Sequence, residues 1–360
     1  MINCKKCNAL PTTYVCFKKW IIFISSVFFI FGEVNVFSAT YNEKNVQFEN
    51  NGVKLAGTLI LPDTAGPHPA IVIVHGSGAS DRHNWEKHTK HFPSNGIAIL
   101  RYDKRGVGAS TGSWLSASPS ILADDVLAGV HYLQKLPNIN PEQVGIWGGS
   151  QGWTIGAFAA ARSKGKVAFA IIISGDPKGQ WEQEKYRVRA LLRQDNASNA
   201  TRDRVEKLLS LMETFFKTGE GSELRELAAT PDYKKVLHYA VRGGVLPPDN
   251  HPAITWWRLN YDFSPLSIVQ DIKCPVLSIW GEKDFLVDSQ EAASLSTQAF
   301  NESGHNDYTW KIFPDADHGL YIRNEVGPGW AKKDQRLLAP EFVDLTTAWL
   351  LKRVTVEKDD

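Results

Sequence analysis

The stretch Val144-Gly145-Ile146-Trp147-Gly148-Gly149-Ser150-Gln151-Gly152 decides the fold. Residues 144–147 read as an apolar strand, and residues 151–162 carry a helical pattern. Between them the chain has to reverse within G-x-S-x-G. Glycines two positions before and after the serine let neighbouring backbone crowd together, so a tight strand-to-helix turn can hold the Ser150 hydroxyl above the end of a sheet. Ser150 is therefore the candidate nucleophile. The strand before it and the helix after it distinguish this motif from a chance glycine-rich loop.

Working outward, residues 70–74, 97–100, 144–147, 167–173, 276–280 and 308–313 are nearly continuously apolar, as buried parallel strands are. Residues 46–48 and 53–61 instead alternate apolar and polar, which predicts an antiparallel start with one solvated face. Helical periodicity occupies 85–94, 121–136, 151–162, 288–300 and 340–352. Strand and helix alternate, so the expected class is α/β, a mostly parallel doubly wound sheet with helices on both faces.

Residues 176–265 break that rhythm, having no convincing strand. Val205, Leu208, Leu209, Met212, Phe215 and Phe216 recur at helical spacing there, and Trp181, Trp256 and Trp257 lie in the same interval. The interval reads as a helical cap inserted into a core of residues 39–175 and 266–360, set over the carboxyl ends of the strands where such sheets bind ligands. Trp153, next but two after the nucleophile, joins Trp181, Trp256 and Trp257 as a candidate pocket residue.

The ends and the composition bound the rest. At 43% apolar and 22% charged, the 360 residues suit a globular protein, and 40 basic against 39 acidic residues give no field for nucleic acid. Lys18 and Lys19 precede an apolar run over 20–32, with small residues Val36 and Ser38 beyond it. This predicts a signal peptide over 1–38, cut after Ser38, and an exported chain, periplasmic or extracellular; thirteen apolar residues are short for a membrane span, so no stable insertion is expected. Cys4, Cys7 and Cys16 leave with that segment, and Cys274 stays as a core thiol.

A serine hydroxyl is a weak nucleophile at neutral pH and needs a base and a group to orient that base. The strand over 276–280 runs into Gly281-Glu282-Lys283-Asp284, and the strand over 308–313 is followed by Asp317-His318-Gly319. Ser150, Asp284 and His318 each follow the carboxyl end of a separate predicted strand, in the order serine, acid, histidine. Asp288 and Asp317 are the rival acids, and Asp284 is preferred for its closeness to the strand. The other histidines, among them His68, His83, His88 and His91, read mostly as surface residues. His75-Gly76-Ser77-Gly78 follows the strand over 70–74, and the backbone N–H groups of Ser77 and Gln151 are the candidate oxyanion donors.

These motifs, with Arg101-Tyr102-Asp103-Lys104-Arg105-Gly106-Val107-Gly108-Ala109-Ser110, resemble the α/β-hydrolase superfamily over about residues 57–351, and within it secreted bacterial serine esterases related to the prolyl oligopeptidase and dienelactone hydrolase branches. The resemblance implies that the 103–110 loop is structural, with Arg105 in an internal ion pair. Two features depart from it: Trp153 stands where a small residue is common, and the loop is His-Gly-Ser-Gly rather than His-Gly-Gly-Gly. The expected function is a serine hydrolase of small carboxylic esters, with short acyl groups and an acyl-enzyme intermediate, needing neither metal nor cofactor. A serine aminopeptidase, with Glu182 or Glu184 holding the substrate ammonium, is the alternative. A non-catalytic ligand-binding protein of the same fold is the second.

Overall fold

The computed structural model describes residues 41–323 and 336–356. The signal-peptide reading of residues 1–38 lies outside them. The strands are β1 (Tyr41–Asn50), β2 (Val53–Pro62), β3 (His68–Val74), β4 (Ala98–Tyr102), β5 (Ile139–Gly149), β6 (Ala170–Ile173), β7 (Val276–Gly281) and β8 (Tyr308–Phe313). They form one sheet in the order β1-β2-β4-β3-β5-β6-β7-β8. The pairs β1–β2 and β2–β4 are antiparallel, and every pairing from β4 through β3 to β8 is parallel. This is an α/β-hydrolase fold.

The apolar runs are buried on both faces. Every residue of β3, β4, β6 and β7 is buried. Along β3 the pleat sends Ala70, Val72 and Val74 into one core, while Ile71 and Ile73 enter the other. Each such Val or Ile contributes about 1.5–3 kcal/mol by leaving water. Helices α1 (Pro119–Leu133), α2 (Gln151–Arg162) and, further along the chain, Ser289–Glu302 supply the first face with Val126, Ile155 and Phe300. The helix Phe342–Leu351 covers the other with Phe342, Trp349 and Leu350.

Two expectations need correction. The helix predicted over 85–94 shrinks to one turn, Glu86–Thr89, and a 3-10 turn, Pro93–Asn95. Trp85 has φ 65°, a conformation no helix interior accepts, and Pro93 lacks an N–H, so the pattern cannot run on. The other concerns β8, which is not a buried strand: Thr309, Trp310 and Lys311 are exposed because, among the described residues, β8 pairs only with β7 at the sheet edge.

Between β6 and β7 lie helices α3 (Gln180–Gln194), α4 (Asn199–Thr218), α5 (Ser222–Ala229) and α6 (Pro252–Asn260), with two single turns before α6. They carry a core of their own. Val205, Leu208, Leu209, Met212, Phe215 and Phe216 of α4 are buried there, against Trp181, Val188 and Leu192 of α3. The Ser198 hydroxyl caps α4 by accepting from Thr201 N at 3.2 Å, and Gly219 ends it at φ 86°. The remaining helices are α7 (Ser289–Glu302) and α8 (Phe342–Leu351).

Candidate active site

Ser150 sits between β5 and α2 with φ 59° and ψ −124°, a strained backbone for a residue with a Cβ. The surrounding glycines explain how it is tolerated. A Cβ on Gly148 would lie 2.3 Å from Gly152 O, and one on Gly152 would lie 2.6 Å from Val74 O. Only hydrogen fits at either position, so the turn closes tightly and lifts the part-exposed Ser150 hydroxyl clear of the sheet.

His318 Nε2 lies 3.0 Å from Ser150 Oγ, and His318 Nδ1 lies 2.8 Å from Asp284 Oδ2. The structure thus brings the three sequence-derived residues into one hydrogen-bonded chain, with His318 and Asp284 buried. Asp284 is itself fixed: its Oδ1 accepts from Leu286 N at 2.7 Å and Val287 N at 3.1 Å, leaving Oδ2 aimed at the imidazole. The rival acids do other things. Asp288 caps α7, accepting from Glu291 N at 3.0 Å. Asp317 Oδ1 accepts from Gly319 N at 2.8 Å and Tyr321 N at 3.0 Å, which shapes the turn carrying His318.

Two buried histidines were not foreseen, and one of them supports the site. His88 is buried, not at the surface, and its Nε2 lies 2.7 Å from Gly319 O, so it braces the His318 turn from across the sheet end. Burial lowers its pKa to about 4, and the neutral ring donates that hydrogen bond. His68 is also buried. Only His68, just before the apolar run of β3, carried a sequence signal for burial; His88 stands between Lys87 and Thr89 and carried none.

The His-Gly-Ser-Gly loop lies against the elbow. A Cβ on Gly76 would be 3.5 Å from Ser150 Cβ and 3.4 Å from Gly149 O. His75 anchors the loop: burial lowers its pKa to about 3, and the neutral ring's Nε2 donates to Tyr102 O at 2.6 Å. Arg105 pairs bidentately with Asp125 at 2.7 and 2.6 Å, and Asp103 with Arg82 at 3.0 and 2.7 Å, so the 103–110 loop is held by one buried and one half-buried ion pair.

The candidate pocket tryptophans separate. Trp153 is fully buried among the sheet-facing residues of α2, its Cβ so near Gly175 that a Cβ there would lie 2.2 Å away. Its indole packs beneath the helix. Trp181 belongs to the core of the inserted helices, its Nε1 donating to Glu213 Oε2 at 2.9 Å. Trp256 and Trp257 do line a cavity, of about 190 Å³, whose opposite wall is Ser77, Gly78 and Trp114. A second cavity of about 300 Å³, lined by Met212, Phe215, Phe216 and Leu224, shares Glu184, Arg242, Ala253 and Trp257 with the first.

A family model described as alpha/beta hydrolase fold matches residues 69–325. The chain belongs to the alpha/beta hydrolase fold family. Quorum-quenching protein AidA of Acinetobacter baumannii is 25% identical over 286 residues, 77% of this chain and 88% of the relative. Esterase EstD of Thermotoga maritima is 25% identical over 296 residues, 79% of this chain and 61% of the relative. The solved structure of DcsB in complex with its substrate analogue has a TM-score of 0.56 at 18% identity, covering 88% of this chain and 100% of the other, a likeness of fold. The chain is thus a member of a hydrolase family that has an esterase among its relatives.

Proposed function

We propose that this alpha/beta hydrolase cleaves carboxylic esters by serine catalysis through an acyl-enzyme. The observation that carries the reading is the Ser150–His318–Asp284 chain at 3.0 and 2.8 Å, set against a loop of candidate oxyanion donors. In this reading His318 Nε2 takes the Ser150 proton as Oγ attacks the carbonyl carbon. The oxyanion is met by the N–H groups of Ser77 and Gln151, and His318 then hands the proton to the departing alkoxide. Water attacks the acyl-enzyme with His318 again as base, which regenerates Ser150 and releases the acid. Asp284 holds the Nδ1–H and balances the imidazolium charge.

The inserted helices serve as the cap in this proposal. In this reading the acyl group enters only the 190 Å³ cavity beside Ser77, with the adjoining 300 Å³ cavity outside the acyl site, which favours a compact, short acyl group. Trp153, buried in the sheet core, plays no part in that limit. The aminopeptidase alternative needs a free carboxylate for a substrate ammonium, and the candidates are occupied. Glu184 is buried, which by itself raises its pKa, yet Arg187 at 2.9 and 2.7 Å and Arg242 at 3.2 Å outweigh that and lower it. Glu182 is paired with Lys185 at 2.5 Å. Export by residues 1–38 belongs to the same proposal, and N-terminal sequencing of the mature protein checks for a start at Ala39.

The test is a fluorophosphonate probe together with p-nitrophenyl esters of graded length and aminoacyl p-nitroanilides. Labelling at Ser150 and turnover of acetyl to butyryl esters above dodecanoyl ones are expected. Absence of labelling would leave a non-catalytic binding protein, and anilide turnover far above ester turnover would promote the aminopeptidase.

A further inference from the structure

Lys104 lies two residues past the end of β4 and is 3% exposed. An ammonium removed from water needs acceptors for its three protons. Lys104 Nζ finds Gly76 O at 2.8 Å, Gly78 O at 3.3 Å and the Gln151 side-chain Oε1 at 3.3 Å, with the Trp114 ring centre 5.5 Å away. None of these is an anion. The surrounding carboxylates already have cations of their own: Asp103 holds Arg82, Asp125 holds Arg105, and Glu184 across the cavity holds Arg187 and Arg242. His75, the other titratable group against it, is held neutral by burial. Lys104 is thus a buried cation solvated by three carbonyl dipoles.

Those acceptors matter. Gly76 C=O and Ser77 N–H belong to one peptide group. A cation on the carbonyl oxygen draws electron density through that peptide and makes its N–H a stronger donor. Gln151 supplies the second candidate N–H, and its side chain is fixed by Lys104 at Oε1 and by Asn260 at 3.1 Å from Nε2. Asn260 in turn donates to Trp256 O at 2.7 Å, tying the arrangement to α6. Both donor residues are therefore held by a single ammonium.

We propose that Lys104 is a positioning residue of the oxyanion site: its ammonium orients and polarises the Gly76–Ser77 peptide and pins Gln151. It thereby stabilises the tetrahedral oxyanion more than the bound ester. The inference rests on the serine-hydrolase reading. It is consistent with the ease of losing this charge, since burial lowers the Lys104 pKa to about 7 against the opposing pull of Asp125. The cation is present below that value and lost as the pH rises through it.

The experiment compares wild type, Lys104→Met and Lys104→Arg in p-nitrophenyl acetate hydrolysis between pH 6 and 9, with thermal melts as the control for folding. Removing an oxyanion donor outright costs about 10²–10³ in kcat, so losing only its support should cost about 10- to 100-fold, with KM changed less than about threefold. Affinity for a trifluoromethyl ketone, which mimics the tetrahedral state, should fall by the same factor, while affinity for the matching non-hydrolysable amide should not move. Lys104→Arg should recover much of the rate and lose the alkaline decline of the wild type. A folded Lys104→Met enzyme within threefold of wild type overturns the proposal, as does an equal loss of affinity for ketone and amide, which marks a structural role. If Lys104→Met does not fold, Lys104→Gln takes its place, and a folded Lys104→Gln enzyme within threefold of wild type overturns the proposal. Wild-type protein that neither labels with fluorophosphonate nor turns over ester defeats the serine-hydrolase reading itself.

Discussion

Replacing Asp284 with Asn tests the arrangement at its most specific point. The change keeps size and shape. Asp284 Oδ1 is claimed by Leu286 N and Val287 N at 2.7 and 3.1 Å, so the retained carbonyl oxygen of an Asn will stay there and its NH₂ will face His318. At 2.8 Å that NH₂ needs an acceptor, which forces Nδ1 to give up its proton and Nε2 to carry one. Nε2 then cannot take the Ser150 proton 3.0 Å away. The same tautomer swap in a serine protease triad costs about 10⁴ in kcat, roughly 5 kcal/mol of barrier, and a loss of that order is expected here. The assay is p-nitrophenyl acetate turnover per folded molecule, with a melting curve to show that the fold is intact. Asp288→Asn is the control. Its side chain still caps α7, so activity should be unchanged, whereas Asp288→Ala should cost about 1 kcal/mol of stability and no activity. An Asp284→Asn enzyme within tenfold of wild type, or a larger loss from Asp288→Asn, refutes the reasoning.

Ser150→Ala should lower kcat by about 10⁴ or more and leave the melting temperature unchanged or raised, since it removes the hydroxyl without relieving the turn; comparable turnover in a folded variant defeats the assignment. Trp153→Ala should cost about 3–5 kcal/mol of stability and leave the order of ester chain lengths untouched, whereas Trp257→Ala, which opens the wall shared by the 190 and 300 Å³ cavities, should move the optimum toward longer acyl groups; chain-length profiles of both variants decide. His75, His88 and His91 have pKa values lowered by burial to about 3, 4 and 4, so the folded chain binds fewer protons at these sites than the unfolded chain. Their contribution to stability is complete above the unfolded value of 6.5 and is lost as the pH falls from there toward 4. Melting temperatures should drop steeply over that interval, and a flat profile from pH 7 to 5 contradicts the burial of these rings.

Much of this molecule was legible in one dimension because its signals are local. A strand buried on both faces has to be apolar at nearly every position, so β3, β4, β6 and β7 announced themselves. A turn as tight as the one at Ser150 excludes side chains at 148 and 152, so the glycines had to be written into the sequence. The placement of Asp284 and His318 after strand ends followed from parallel topology, which puts all those ends on one edge. What only the tertiary structure decided depends on groups far apart in the chain. Trp153 could face either way from α2, and packing against Gly175 turned it inward. β8 reads much as its neighbour β7 does, yet among the described residues no strand pairs beyond it, so Thr309, Trp310 and Lys311 lie open. His88 and Lys104 look like ordinary polar residues in sequence, because what gives each its role is an acceptor 231 or 28 positions away that only folding brings within reach.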